Sequence, residues 1–212
     1  DPVTNINPGH LRVWLPARKG QHYIITGDVA SGIESPPDEE IDETGCFSAW
    51  DIYDASSWEQ VAQWHGLIEP DAFGEIGVML GMLYNEALLA PEVNNHGLVT
   101  CKTIEGMNYR PLYEREENKG GTTLGFYTMP GATGTRARMI NSLRATERDF
   151  TIKINSPITL SELRSFVKKA NGKMGPQPSC FSDTVITACI ASIILEDGTH
   201  IPEKKTEGGH TK

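Results

Sequence analysis

His22-Tyr23-Ile24-Ile25-Thr26-Gly27-Asp28-Val29-Ala30-Ser31-Gly32 is the stretch on which the reading of this chain turns. Residues 22–27 form an apolar, β-branched run with the length of a buried strand. Asp28 follows directly, and Ser31-Gly32 supplies a turn. A carboxylate that closes an apolar strand reads either as an ordinary turn residue or as a group held at a sheet edge for chemistry.

Working outward, Cys46–Tyr53 and Trp58–Gly66 read as two further strands, which makes an antiparallel meander with the first. Leu11–Leu15 is a short candidate strand within a Pro- and Gly-containing stretch, residues 1–20, that reads as a linker. Residues 70–85 have helical spacing at Phe73, Ile76, Met79, Leu80, Leu83 and Tyr84, with Asp71 as the expected N-cap. Ala87–Pro91 is a short buried strand that ends at Glu92. Residues 97–107 read as a helix and residues 109–128 as a hairpin excursion with Gly120-Gly121 near its tip. Residues 133–148 form an amphipathic basic helix, Phe150–Ile154 an edge strand, and Ser161–Asn171 another helix. A loop over Gly172–Cys180 leads to an apolar helix that starts near Ser182-Asp183 and runs to about Glu196. The expected whole is a mixed α/β sheet with helices on its faces, spanning residues 21–200, with a polar tail at 201–212.

The chain has 212 residues and a net charge of −9, unevenly spread. Residues 20–101 hold 15 acids and no Lys or Arg; residues 102–173 hold 13 basic and 7 acidic residues. The first region suits multivalent cations, because clustered carboxylates favour hard metals such as Mg²⁺ and Mn²⁺. The second suits phosphates. The four cysteines show no CxxC or metal spacing and read as reduced thiols. The longest apolar run, Val185–Leu195, is too short for a bilayer span, so no membrane partner is expected. The chain opens at Asp1-Pro2 without Met, which reads as a piece of a longer polypeptide. No GxxxxGK[ST], HExxH, GxSxG or dinucleotide fingerprint is present.

Three carboxylates occupy element ends: Asp28 closes a strand, Glu92 follows another, and Asp183 opens the last helix. Carboxylates that converge repel one another unless cations lie between them. Two divalent ions about 4 Å apart would satisfy them and could activate a water against a phosphodiester. The blander alternatives are a turn residue at Asp28, a solvated acid at Glu92 and a helix-dipole partner at Asp183.

These segments together resemble the C-terminal nuclease domain of the large terminase subunit of tailed phages. The resemblance rests on Asp28-Val29-Ala30-Ser31-Gly32, on Glu92-Val93-Asn94-Asn95-His96-Gly97 and on Asp183-Thr184-Val185-Ile186-Thr187-Ala188, in this order. Leu112-Tyr113, Gly125-Phe126-Tyr127-Thr128 with Arg136–Leu143, and Ser161–Val167 add to it; about residues 11–196 are covered. It implies an RNase H-like fold, three antiparallel strands then parallel strands flanked by helices. It implies an endonuclease that cuts concatemeric viral double-stranded DNA with two Mg²⁺ or Mn²⁺ ions on Asp28, Glu92 and Asp183. It also implies an N-terminal ATPase domain in the same polypeptide, portal and small-terminase partners, and work in the host cytoplasm. The pattern departs at Ser182, where many members carry an acid, at Phe181, where a His is common, and at Gly45-Cys46-Phe47, where Asp42 or Glu43 would have to substitute. Arg136 stands where the family has Lys.

Asn94, Asn95, His96 and Ser182 are expected to support the site, with an Asx turn and helix cap as the plainer role for Asn95. Arg136, Arg138, Arg144, Lys168, Lys169 and Lys173 are candidate phosphate contacts, against a merely solubilising role. Alternatives from other classes are a nucleotide hydrolase of the same broad fold, a non-catalytic docking module of the motor, and a branched-DNA resolvase.

Overall fold

The structure, a computed structural model, describes residues 10–32, 47–94, 96–116, 121–128, 134–169, 172–178 and 180–198. Five strands, β1 (Leu11–Val13), β2 (Tyr23–Asp28), β3 (Ser48–Asp54), β4 (Glu59–Gly66) and β5 (Leu88–Pro91), make one mixed sheet. Their order across it is β1-β4-β3-β2-β5. β2, β3 and β4 form the meander, β1 adds antiparallel to β4, and β5 lies parallel to β2. A parallel neighbour needs a crossover, and α1 (Pro70–Leu83) supplies it. α2 (Gly97–Gly106) packs on α1, while α3 (Thr135–Arg148) and α5 (Asp183–Asp197) cover the opposite face, with α4 (Pro157–Ser165) beside α5. Two small hairpins stand apart from the sheet, β6 (Glu114–Glu116) with β7 (Thr122–Leu124), and β8 (Phe166–Lys168) with β9 (Met174–Pro176).

Strand alternation sorts the side chains. Tyr23 and Ile25 join the core under α1, together with Trp50, Ile52 and Phe73. Ile24 points the other way, into the core under α5 with Tyr53 and Ile190. Thr26 and Asp28 therefore share the α5 face, and so do Asp51, Gln63 and His65 on the neighbouring strands. Trp50 is fixed by its stack on Phe73, with ring centroids 4.4 Å apart, and by an indole N–H bond to the Phe73 carbonyl. It fits only because Gly27 and Gly77 lack side chains; a Cβ at Gly27 would stand 2.3 Å from the ring. The residue before Asp28 is thus set by packing. α5 is buried on all sides from Asp183 to Leu195, which explains an apolar helix with almost no polar face.

Four expectations need correction. The helix expected over Ser161–Asn171 spans Pro157–Ser165 instead. Phe166-Val167-Lys168 leaves it to pair with Met174–Pro176, a partner that local helix propensity does not register. Gly172, at φ +80°, makes the turn between them. The loop expected after Gly172 thus contains β9. Phe150–Ile154 is no strand: Phe150 takes a left-handed turn, and only Lys153 bridges to Glu59. The Asn155 and Ser156 backbone N–H groups donate to the Gln60 side chain. Asp71 is not the N-cap of α1, which starts one residue earlier at Pro70.

Candidate metal centre

Asp28 lies where the parallel strands end, hydrogen-bonded to Glu92 and close enough to Asp183, at the start of α5, for its charge to act there. Asp28 is the last residue of β2; Glu92 follows β5, its N–H bonded at 2.7 Å to the Gly27 carbonyl. The chain after Glu92 folds back closely: a Cβ on Gly97 would lie 1.7 Å from the Glu92 carbonyl oxygen. Glu92 is also bridged to Phe126, behind the β6–β7 hairpin. Its Oε1 accepts from the Asn94 amide at 3.0 Å and from the Thr128 hydroxyl, to which Asn94 also donates. Asn94 thus orients Glu92, and Thr128, which sequence reading did not single out, shares that task.

Asp183 opens α5 and is only 3% exposed. Ser182, the N-cap, makes no side-chain cap bond. Glu162 of α4 does so instead. Its Oε2 accepts from the backbone N–H of Thr184 (2.9 Å) and Val185 (3.2 Å), and from the Thr184 hydroxyl (2.7 Å). Glu162 and one imidazole nitrogen of His65 also stand beside Asp183, with one ligand atom from each of the three within 4.8 Å of the others. Neither His65 nor Glu162 was singled out in the sequence.

The electrostatics record this crowding. Burial, then the charge of Glu92 and a hydrogen bond to it, then the charge of Asp183, hold the Asp28 carboxyl well above the usual carboxylate range, with Arg136 opposing. Burial and the Glu162 charge push Asp183 up to about 8. Burial first, then the charges of Arg12 and His10, hold the His65 imidazole down to about 4. Asp183 Oδ2 is buried without a hydrogen-bond partner. Like charges packed together and an orphaned buried carboxylate oxygen are what a cation would relieve.

Known structures share the fold. The large terminase nuclease of thermophilic phage G20c is similar with a TM-score of 0.61 at 15% identity, over 87% of this chain and 88% of that one. Its magnesium-bound form gives 0.65 at 14%, over 88% of each. The nuclease domain of the large terminase of Thermus phage P74-26 gives 0.59 at 14%, over 86% of this chain and 84% of that one. This chain has the terminase-nuclease fold. The G20c nuclease has also been solved with bound cobalt and with bound zinc. No family model matches the chain, and no curated protein matches it in sequence.

On this nuclease fold the remaining residues singled out in the sequence divide. Arg136, near the start of α3, lies close enough to Asp28 for its charge to be felt there. Arg138 is instead bound to Asp197 at 2.7 Å, and Arg144 is exposed further along α3. Lys168, Lys169 and Lys173 belong to the β8–β9 hairpin, where the Lys169 N–H donates to the Lys173 carbonyl at 2.8 Å. His96 is exposed at the start of α2. Asn95, Asp42, Glu43 and Cys46 lie outside the described residues. A shallow groove of about 490 Å³ between α3 and α5, lined by Arg138, Asn141 and Glu196 among others, contains none of the three carboxylates.

Proposed function

We propose that this domain is a divalent-metal-dependent DNA endonuclease, cutting concatemeric viral double-stranded DNA during genome packaging. The observation that carries the reading is the convergence of Asp28, Glu92 and Asp183 at the ends of β2, β5 and the start of α5. The terminase-nuclease fold supports it. Asp28, Glu92 and Asp183 would hold two Mg²⁺ or Mn²⁺ ions. When bound, such ions polarise the scissile phosphate and supply a water of lowered pKa.

The chain's own groups do the rest. Asn94 and Thr128 hold the Glu92 carboxylate, so its ordering is complete before substrate arrives. Buried α5 fixes Asp183. Arg136 supplies a cation beside the carboxylates, able to meet a phosphate drawn to them. The proposed reading is of backbone, not base edges, so cutting is largely indifferent to sequence. The β6–β7 hairpin, returning beside Glu92, is the proposed gate on DNA entry. The ATPase domain, portal and small terminase belong to the same proposal as partners of the complete motor, in the host cytoplasm.

The test is plasmid cleavage with Mg²⁺ or Mn²⁺. Loss of several kcal/mol of charge stabilisation at tenfold per 1.36 kcal/mol predicts a drop of about a thousandfold or more for Asp28→Asn and Asp183→Asn. The fold should persist by circular dichroism. Wild-type rates in both variants would refute the assignment.

A further inference from the structure

We infer that His65, Glu162 and Asp183 form a second cation site of different chemistry, adjacent to the carboxylate trio and sharing Asp183 with it. Sheet register builds it. Asp28, Ala49 and His65 are cross-strand partners in one row, with Ala49 between the other two. Two strand spacings put Asp28 and His65 roughly 10 Å apart on the face under α5. The small Ala49 leaves that face open, and Asp183 enters above it from the helix. Asp183 is close enough to Asp28 for its charge to act there, and it groups with His65 and Glu162.

Three features of this second group point to an ion. First, the mutual spacing within 4.8 Å suits donors around one ion with bonds near 2 Å. Second, two buried atoms are orphaned there: Asp183 Oδ2, on a residue 3% exposed, and His65 Nε2. Buried polar atoms without partners are rare in native folds. Third, the ligands are already held. Among the described residues, the three hydrogen bonds to the Glu162 carboxylate all end on Oε2, leaving Oε1 for a ligand. Phe47 stacks on the imidazole at 5.0 Å and is itself braced edge-on by Phe181. His10 Nδ1 lies 2.9 Å from the His65 carbonyl, which anchors the backbone.

One imidazole and two carboxylates select a borderline metal, Zn²⁺, Co²⁺ or Mn²⁺, over Mg²⁺, which prefers all-oxygen octahedra. The binding stands on this geometry alone; any use of the ion in cutting DNA rests on the function proposed above.

The experiment is a titration of the metal-free, ¹⁵N-histidine-labelled protein with ZnCl₂ and separately with MgCl₂, observing imidazole resonances. Zn²⁺ should shift the His65 ring nitrogens at concentrations where Mg²⁺ does not. Co²⁺ should add a visible absorption band that His65→Gln weakens by at least about tenfold in affinity. Asp28→Asn should disable plasmid cleavage yet leave the His65 shift intact, which separates this site from the catalytic one. Glu162→Gln keeps a cap acceptor for α5 and should lose the shift while the protein stays folded. His65 resonances unmoved by Zn²⁺ in the folded wild type, or moved equally in folded Glu162→Gln, would overturn the site.

Discussion

Asp51 shows burial and hydrogen bonding competing over one carboxylate. Its Oδ1 accepts from the Gln60 and Gln63 amides at 3.0 and 2.8 Å. Its Oδ2 lies 2.5 Å from the Thr187 hydroxyl, which is also 2.8 Å from the Thr184 carbonyl. The Thr187 hydroxyl donates to Asp51, as the two glutamine amides do, so three donors converge on one buried carboxylate. Burial nevertheless lifts Asp51 from 3.8 to about 7, against the three hydrogen bonds that favour its charge. The native state then keeps a proton that the unfolded chain releases from about pH 4. Unfolding free energy falls as pH rises through that window towards 7. Asp51→Asn cannot titrate, so the wild type's advantage over it should shrink between pH 5 and pH 8 in urea unfolding with EDTA; an advantage that grows would refute the upward shift. Asp51→Ala strands both glutamines and should cost about 2–4 kcal/mol. Gly97 makes the companion case: Gly97→Ala drives a Cβ into the Glu92 carbonyl. It should destabilise by about 1–3 kcal/mol and remove most cleavage activity, because the displaced residue is Glu92 itself.

At the scale of elements, α5 depends for its start on a neighbour. Its N-cap residue Ser182 makes no side-chain cap bond, and Glu162 of α4 satisfies two of its free N–H groups. Glu162→Ala should therefore cost about 1–2 kcal/mol in chemical unfolding, near the upper range for lost caps, while Ser182→Ala should be nearly neutral. Equal costs would reverse the assignment of the cap. The same contrast marks what the sequence makes legible. β2, β5 and α5 are apolar runs long enough to declare their type, and Asp28, Glu92 and Asp183 stand out because each bounds such a run. His65 and Glu162 do not stand out. Trp64-His65-Gly66 reads as ordinary strand alternation, and Ser161-Glu162-Leu163 reads as the solvent side of a helix. Only the register through Ala49 and the packing of α4 on α5 bring them together, and neither has a local signature. Phe166–Lys168 was misread for the same reason: its partner, Met174–Pro176, lies beyond any helical window.

Over the whole molecule, charge opposes the proposed substrate, so DNA binding must come from local patches. The net charge is −9, yet residues 102–173 hold nearly twice as many basic as acidic residues. The structure distributes these cations unequally. Arg138 is engaged by Asp197, an exposed pair worth at most about 1 kcal/mol. Lys168, Lys169 and Lys173 lie on one short hairpin, and Arg136 is close enough to Asp28 for its charge to act there. If the hairpin tracks the phosphate backbone, each lysine lost should flatten the dependence of log affinity on log salt by about 1. Fluorescence anisotropy on a short duplex in EDTA measures this without cleavage. The triple change Lys168→Ala, Lys169→Ala and Lys173→Ala should weaken binding and lower the slope by up to about 3, whereas Arg138→Ala should change it by less than 1. An unaltered slope in the triple variant would take the hairpin out of the DNA path and leave Arg136 as the nearest cation to carry the substrate past the metal centre.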